Sequence, residues 1–95
     1  MTIHAVAYIH VTNPEKMAAY REKGADALAK HGGTVIQASP ELVVLEGDMS
    51  VPTLAAILAF PDRDAAMAWH NDPDLQDTHA LRQGSGVSNI VLFGA

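Results

Sequence analysis

The feature that most constrains this chain is the order in which two hydrophobic periods follow each other. Runs of period 2, which mark strands, alternate with runs of period 3.6, which mark helices. Their order is strand, helix, strand or hairpin, strand, helix, strand. The clearest strand is Ile3 to Val11. His4, Val6, Tyr8 and His10 fall on one of its faces, and Ala5, Ala7, Ile9 and Val11 on the other. The second face is wholly apolar and is expected to meet helices. The first mixes apolar and polar groups, which suits a sheet face that is covered but not dry.

Asn13-Pro14-Glu15 opens the first helix. Asn13 can cap it, Pro14 fits the first helical position, and Glu15 complements the helix dipole. Met17, Tyr20, Gly24, Leu28 and His31 recur at helical spacing, and Gly32-Gly33 supplies the stop. His31, in the last turn, reads as a C-terminal cap interacting with the dipole. Thr34–Ala38 and Leu42–Glu46 are two short extended runs around Ser39-Pro40, forming either a hairpin or one bent strand. Thr53–Phe60 is a further strand, with Ala55, Ile57 and Ala59 on one face. Asp62 caps a second helix that holds Trp69, which is expected in the core. Asp72-Pro73 ends that helix and starts a short third one, with Leu75, His79 and Arg82 along one stripe. Val87–Phe93 is the last strand. This order is the split βαβ arrangement of ferredoxin-like α+β folds, an antiparallel sheet with its helices on one face.

Ninety-five residues make one domain, 1–95, that buries only about two-thirds of its unfolded surface. With 48% apolar residues, apolar area is left over after one copy folds, and a homodimer closed through the open sheet face is the expected outlet. No cysteine is present, so disulfides and thiolate chemistry are excluded. The formal charge of −5, without a basic stripe, argues against nucleic acid as a partner. The N-terminal Met1-Thr2-Ile3-His4 lacks the basic start and long apolar run of a signal peptide. No stretch reaches transmembrane length, so no membrane partner and a cytoplasmic location are expected.

Several short motifs then fall in a recognisable order: Asn13-Pro14-Glu15, Tyr20, His31-Gly32-Gly33, Leu45-Glu46-Gly47, Phe60-Pro61, Ala65, Trp69, Asn71, Pro73, Gln76 and Arg82. Nearly end to end, the chain resembles the uncharacterised family known as domain of unknown function thirteen-thirty, in the dimeric α/β-barrel superfamily. The resemblance implies a ferredoxin-like monomer and a homodimer with a barrel-like core between sheets. The superfamily includes cofactor-free monooxygenases and muconolactone isomerases. The chain departs from the family pattern at named positions. Ala59 stands before Phe60-Pro61 where members usually carry Glu. Ala38 and Ser39-Pro40 replace a usual Arg followed by glycines, His70 and Asp72 replace the Tyr and Ser of a Trp-Tyr-Asn-Ser run, and Leu75 replaces a usual Tyr.

Among candidate site residues, His4, Tyr8 and His10 share the open face of the first strand. Tyr can donate a proton and His can accept one near neutral pH, so Tyr8 and His10 are the catalytic candidates. The bland alternative is interface packing with satisfied polar tips. His70 is expected at a cavity mouth. Arg82 offers a fork to a ligand carboxylate, but an ion pair with Glu46 or Asp72 that fixes the third helix is the more ordinary arrangement. The five histidines do not make a metal site within one strand. His4 and His10 are about 20 Å apart along it, against zinc–nitrogen bonds of about 2 Å. A site assembled from His10, His70 or His79 is the remaining metal option, and no metal or cofactor is expected. The functional expectation is a small organic, anionic molecule bound at the open sheet face by His4, Tyr8, His10, His70 and Arg82. The alternatives are a ligand-free structural or protein-interaction homodimer, and a cofactor-free monooxygenase or isomerase.

Overall fold

The computed structural model describes residues 1–94. Its elements run β1 (Ile3–Val11), α1 (Pro14–Lys30), β2 (Thr34–Ser39), β3 (Leu54–Phe60), α2 (Arg63–Asn71), a 3₁₀ turn (Pro73–Leu75), α3 (Gln76–Gly84) and β4 (Gly86–Leu92). The four strands form one antiparallel sheet in the order β2-β3-β1-β4. This is the ferredoxin-like α+β architecture expected from the order of periods.

Local chemistry sets the element ends. Asn13 Oδ1 accepts from the Lys16 N–H at 3.1 Å, and Pro14 follows in the first turn of α1. Gly32 takes a left-handed φ of 74°, and the Gly33 N–H returns to the Leu28 carbonyl. Asp62 Oδ1 caps α2 through the Ala65 N–H at 2.8 Å. At the α3–β4 junction Ser85 is fully buried, and its carbonyl accepts from both Thr12 and Asn13 N–H groups at 2.8 Å. Its Oγ donates to the Arg82 carbonyl at 2.6 Å.

Along β1 the odd residues Ile3, Ala5, Ala7 and Ile9 are buried beneath the helices, while the even residues face the other way. The small alanines let the helix layer come close. The core joins Ile3, Ala5, Leu58 and Phe60 of the sheet to Leu28 of α1 and Trp69 of α2. Burial of a side chain such as Phe60 stabilises the fold by roughly 1.5–3 kcal/mol. On the opposite face the register makes cross-strand rows. Val6 pairs with Ile57 and Val91, and Tyr8 with Ala55 and Asn89. Ile57, Val87 and Val91 there are exposed in the single chain.

One expectation needs correction. Leu42–Glu46 forms no strand: β2 ends at Ser39, before Pro40, and β3 is already paired on both sides. A strand needs a ladder partner, and this segment has none. Val43 and Leu45 are 83% and 95% exposed. The expected strand β2 forms, with an irregularity. The register shifts between Val35 and Gln37, so Ile36 bulges outward and is exposed.

Candidate functional site

The helical stripe of α3 turns Arg82 inward, towards the layer between helices and sheet. The residue is only 3% exposed. Its Nη1 donates to Tyr20 Oη of α1 at 3.4 Å and to His79 Nδ1 at 3.2 Å. The guanidinium also lies near two aromatic faces, with Cζ 5.5 Å from the Tyr20 centroid and 5.3 Å from that of Trp69. Among the described residues no carboxylate pairs with it. The expected ion pair with Glu46 or Asp72 is therefore not made. Nε is buried without a partner, as is the neighbouring indole N–H of Trp69.

His79 is buried behind Arg82. Its Nε2 lies 2.9 Å from the Trp69 carbonyl, which can only accept, so Nε2 carries the hydrogen. Nδ1 is then bare and accepts from Arg82 Nη1. Burial is the largest cause pushing the His79 pKa below its ordinary value, and the charges of Arg82 and His70 push the same way. The Trp69 and His79 rings meet edge to face with centroids 4.7 Å apart, and the Trp69 ring is tilted against Phe60 with centroids 5.5 Å apart, which places Trp69 in the core as expected.

Arg82 stands between two cavities on the helix side of the sheet. One, about 390 Å³, lies between α1 and the sheet and is walled by Met17, Tyr20, Leu28, Ile9 and Leu58, with Ser39 and Pro40 also lining it. The other, about 350 Å³, lies between α2, α3 and β4, against Trp69, His70, Gln83 and Ser88. Arg82 and Ile90 line both. The arrangement is an apolar chamber with one buried cation in its wall. Such a site holds the oxygen of an anion, or steadies negative charge as it develops on one.

The structure parts the sequence-derived residues into two groups. Arg82 and His70 belong to the helix-side cavities. His4, Tyr8 and His10 lie on the other side of the sheet, because they alternate along β1 with the buried Ile3, Ala5, Ala7 and Ile9. One cavity holding all five does not form. The sheet itself separates them, and α3 packs on the covered face. On the open face, a hollow of about 200 Å³ is lined by Val6, Gln37, Leu42 and Ile57. His4 borders a separate hollow with Thr2, Arg63 and Phe93. The His70 and His79 rings stack 5.9 Å apart, with His10 across the sheet from them. Among the described residues no group of three potential metal ligands converges.

Sequence reasoning placed His79 on the right stripe but missed its role, since only the tertiary contact with Trp69 fixes its tautomer. It missed a second cluster altogether. Asp72 Oδ2 accepts from Lys30 Nζ at 2.7 Å and from His31 Nε2 at 2.8 Å, and Asp72 Oδ1 accepts from the Asp74 N–H at 2.8 Å. Lys30, then His31 and the Asp74 N–H, hold the Asp72 carboxyl well below the usual carboxylate range; Lys30 is raised in return. His31 is the C-cap of α1 as expected, but its ring serves this cluster. Lys30-His31 at one helix end and Asp72 at another were the available signal, and a separation of 41 positions along the chain concealed it.

The fold recurs in solved structures. An RPA0582 protein of unknown function from Rhodopseudomonas palustris is 20% identical, with a TM-score of 0.75 over 99% of this chain and 82% of its own. SnoaB, a cofactor-independent oxygenase from Streptomyces nogalater, is 17% identical, with a TM-score of 0.70 over 99% of this chain and 92% of its own. A dimeric ferredoxin-like protein of unknown function from Jannaschia sp. CCS1 is 18% identical, with a TM-score of 0.70 over the whole of both chains. At these identities the likeness is one of fold. No curated protein matches the chain. No described helix is long and apolar enough to cross a membrane. The family model matches residues 2–95, and the chain belongs to the family described as a domain of unknown function, DUF1330.

Proposed function

We propose that this protein binds a small organic molecule with an apolar body and an anionic oxygen head, in the cavity between α1 and the sheet, with Arg82 as its anchor. One observation carries the reading: the Arg82 guanidinium is buried without a counter-charge among the described residues. An unpaired buried charge is costly, and an anion entering the cavity relieves that cost. The apolar lining suits the body of the ligand, and about 390 Å³ lies within the range of small-molecule pockets.

The protein works as a homodimer closed over the open sheet face. The apolar row Ile57–Val6–Val91 on that face and the dimeric ferredoxin-like relative support this reading. In the dimer, His4, Tyr8 and His10 are interface groups. The cofactor-free oxygenase or isomerase alternative draws support from SnoaB's fold and from the donors at Arg82, which suit a developing enolate oxygen.

The test is calorimetric titration with octanesulfonate, whose head stays ionised and whose tail is apolar. The protein binds it, Arg82→Met weakens binding more than about tenfold (1.4 kcal/mol), and Tyr8→Phe leaves binding unchanged. Loss of binding in Tyr8→Phe with retention in Arg82→Met would move the site to the open face.

A further inference from the structure

We infer that His79 is a positioning residue for Arg82: its neutral ring, fixed by the Trp69 carbonyl, holds the guanidinium at the cavity wall, and protonation of the ring at Nδ1 releases it. The inference rests on the anion site proposed above and adds its regulation by pH.

The argument is one of hydrogen-bond polarity. The Nε2–H of His79 is committed to the Trp69 carbonyl at 2.9 Å. The ring therefore has one acceptor, Nδ1, and that acceptor meets Arg82 Nη1 at 3.2 Å. Arginine has donors only. If Nδ1 takes a proton, a donor faces a donor and a cation faces a cation in a buried space. The guanidinium then leaves its place between Tyr20 and Trp69, where its Cζ lies 5.5 and 5.3 Å from the two rings. The anchor is displaced just when total positive charge is greatest, so anion affinity falls on acidification. A simple cationic site behaves in the opposite way.

The groups around His79 reinforce this polarity. From α3 it meets Arg82, and from α2 the stacked His70 ring at 5.9 Å. Both disfavour the charged ring, and burial disfavours it more. Two groups pull the other way: the Trp69 carbonyl through its hydrogen bond, and, more weakly, Asp72 beyond the end of α2, its carboxylate being committed to Lys30 and His31. On α1, Tyr20 reaches Arg82 and the exposed Arg21 lines the same chamber, while Glu22, Lys23 and Asp26 lie along an outer groove beside Leu75 and Thr78. The four strands carry no Asp, Glu, Lys or Arg.

The experiment is octanesulfonate titration from pH 8 to pH 4.5, with circular dichroism confirming the fold at each point. Wild-type affinity is flat above the ordinary histidine range and weakens about tenfold per pH unit below the ring's own pKa. His79→Asn keeps an acceptor near the Nδ1 position without its proton; it binds within about threefold of wild type and loses the pH slope. His79→Met, with no good acceptor, binds weakly at every pH. A flat or rising wild-type affinity on acidification, or an unchanged slope in His79→Asn, overturns the inference. Failure of octanesulfonate to bind at any pH overturns the anion site instead. Imidazole nitrogen NMR then judges His79 separately: an Nε2–H ring with bare Nδ1 whose resonance moves in Arg82→Met supports its role, and an Nδ1–H ring ends it.

Discussion

The guanidinium carbon of Arg82 lies 5.3 Å from the centre of the Trp69 ring, and Trp69 is the only tryptophan in the chain. Its fluorescence therefore reports on the anchor directly. Octanesulfonate does not absorb where the indole does. Its addition is expected to shift or quench the emission in wild type and to leave it unchanged in Arg82→Met. The same substitution is expected to cost the free protein less than about 1 kcal/mol in urea denaturation, because removal of an uncompensated buried charge offsets lost cation–π contacts.

Asp72 makes stability depend on acid. Its carboxyl titrates below the ordinary range when folded, so the unfolded chain takes up the proton first. The stabilisation is present in full above the unfolded value, near 4. It is lost as pH falls from there through the folded value. Asp72→Asn keeps the capping oxygen for the Asp74 N–H and removes the charge. Its denaturation midpoint at pH 7 is expected below that of wild type, with the gap closing on acidification. A constant gap down to pH 2 would show that the cluster contributes nothing through charge.

Gly86 and Gly47 give a contrast within one experiment. A Cβ on Gly86 would sit 1.8 Å from the His10 carbonyl oxygen, a backbone atom that cannot turn away. Gly86→Ala is expected to cost more than about 4 kcal/mol, the range reserved for the severest substitutions. Gly47 has a φ of 104° with nothing within 4 Å of its Cβ. Gly47→Ala is expected to cost about 1–2 kcal/mol, from backbone strain alone. Equal midpoints for the two variants would contradict the packing of β4 against the end of β1.

Ile57 tests the proposed dimer. It pairs with Val6 in the middle of the open face, away from the helix-side cavities. In Ile57→Glu a carboxylate is buried without a partner between two sheets, at a cost of roughly 3–5 kcal/mol. Light scattering is expected to show dimers in wild type and monomers in the variant at micromolar concentration. A variant that stays dimeric would place the interface elsewhere.

Much of this architecture was legible because strand and helix periods are local. The two faces of β1 follow from alternation alone, and Asn13-Pro14 announces the start of α1. Leu42–Glu46 misled for the same reason: its residues favour a strand, but a strand exists only beside a partner, and this segment pairs with none, leaving the outer edge of β2 open. The site was half legible. Arg82, His79 and Leu75 were placed on one stripe, but which side of the sheet that stripe meets depends on how α3 packs. That packing separates Arg82 from Tyr8. The joining of Lys30 and His31 to Asp72 depends on two helix ends meeting in space, which no periodicity records.

The buried carbonyl of Ser85, shared by the N–H groups of Thr12 and Asn13, has a mechanical consequence. It rivets the start of α1 to the end of α3, and the Asp72 cluster fastens the far end of α1 to the turn before α3. With both ends of α1 held, the helix layer is braced against parting. A ligand of the proposed kind would enter on the side where Ser39 and Pro40 line the chamber and the bulged edge strand gives way to the unpaired segment that follows. For the ligand proposed above, that stretch of chain, and not a hinge between helices, would set how quickly it comes and goes.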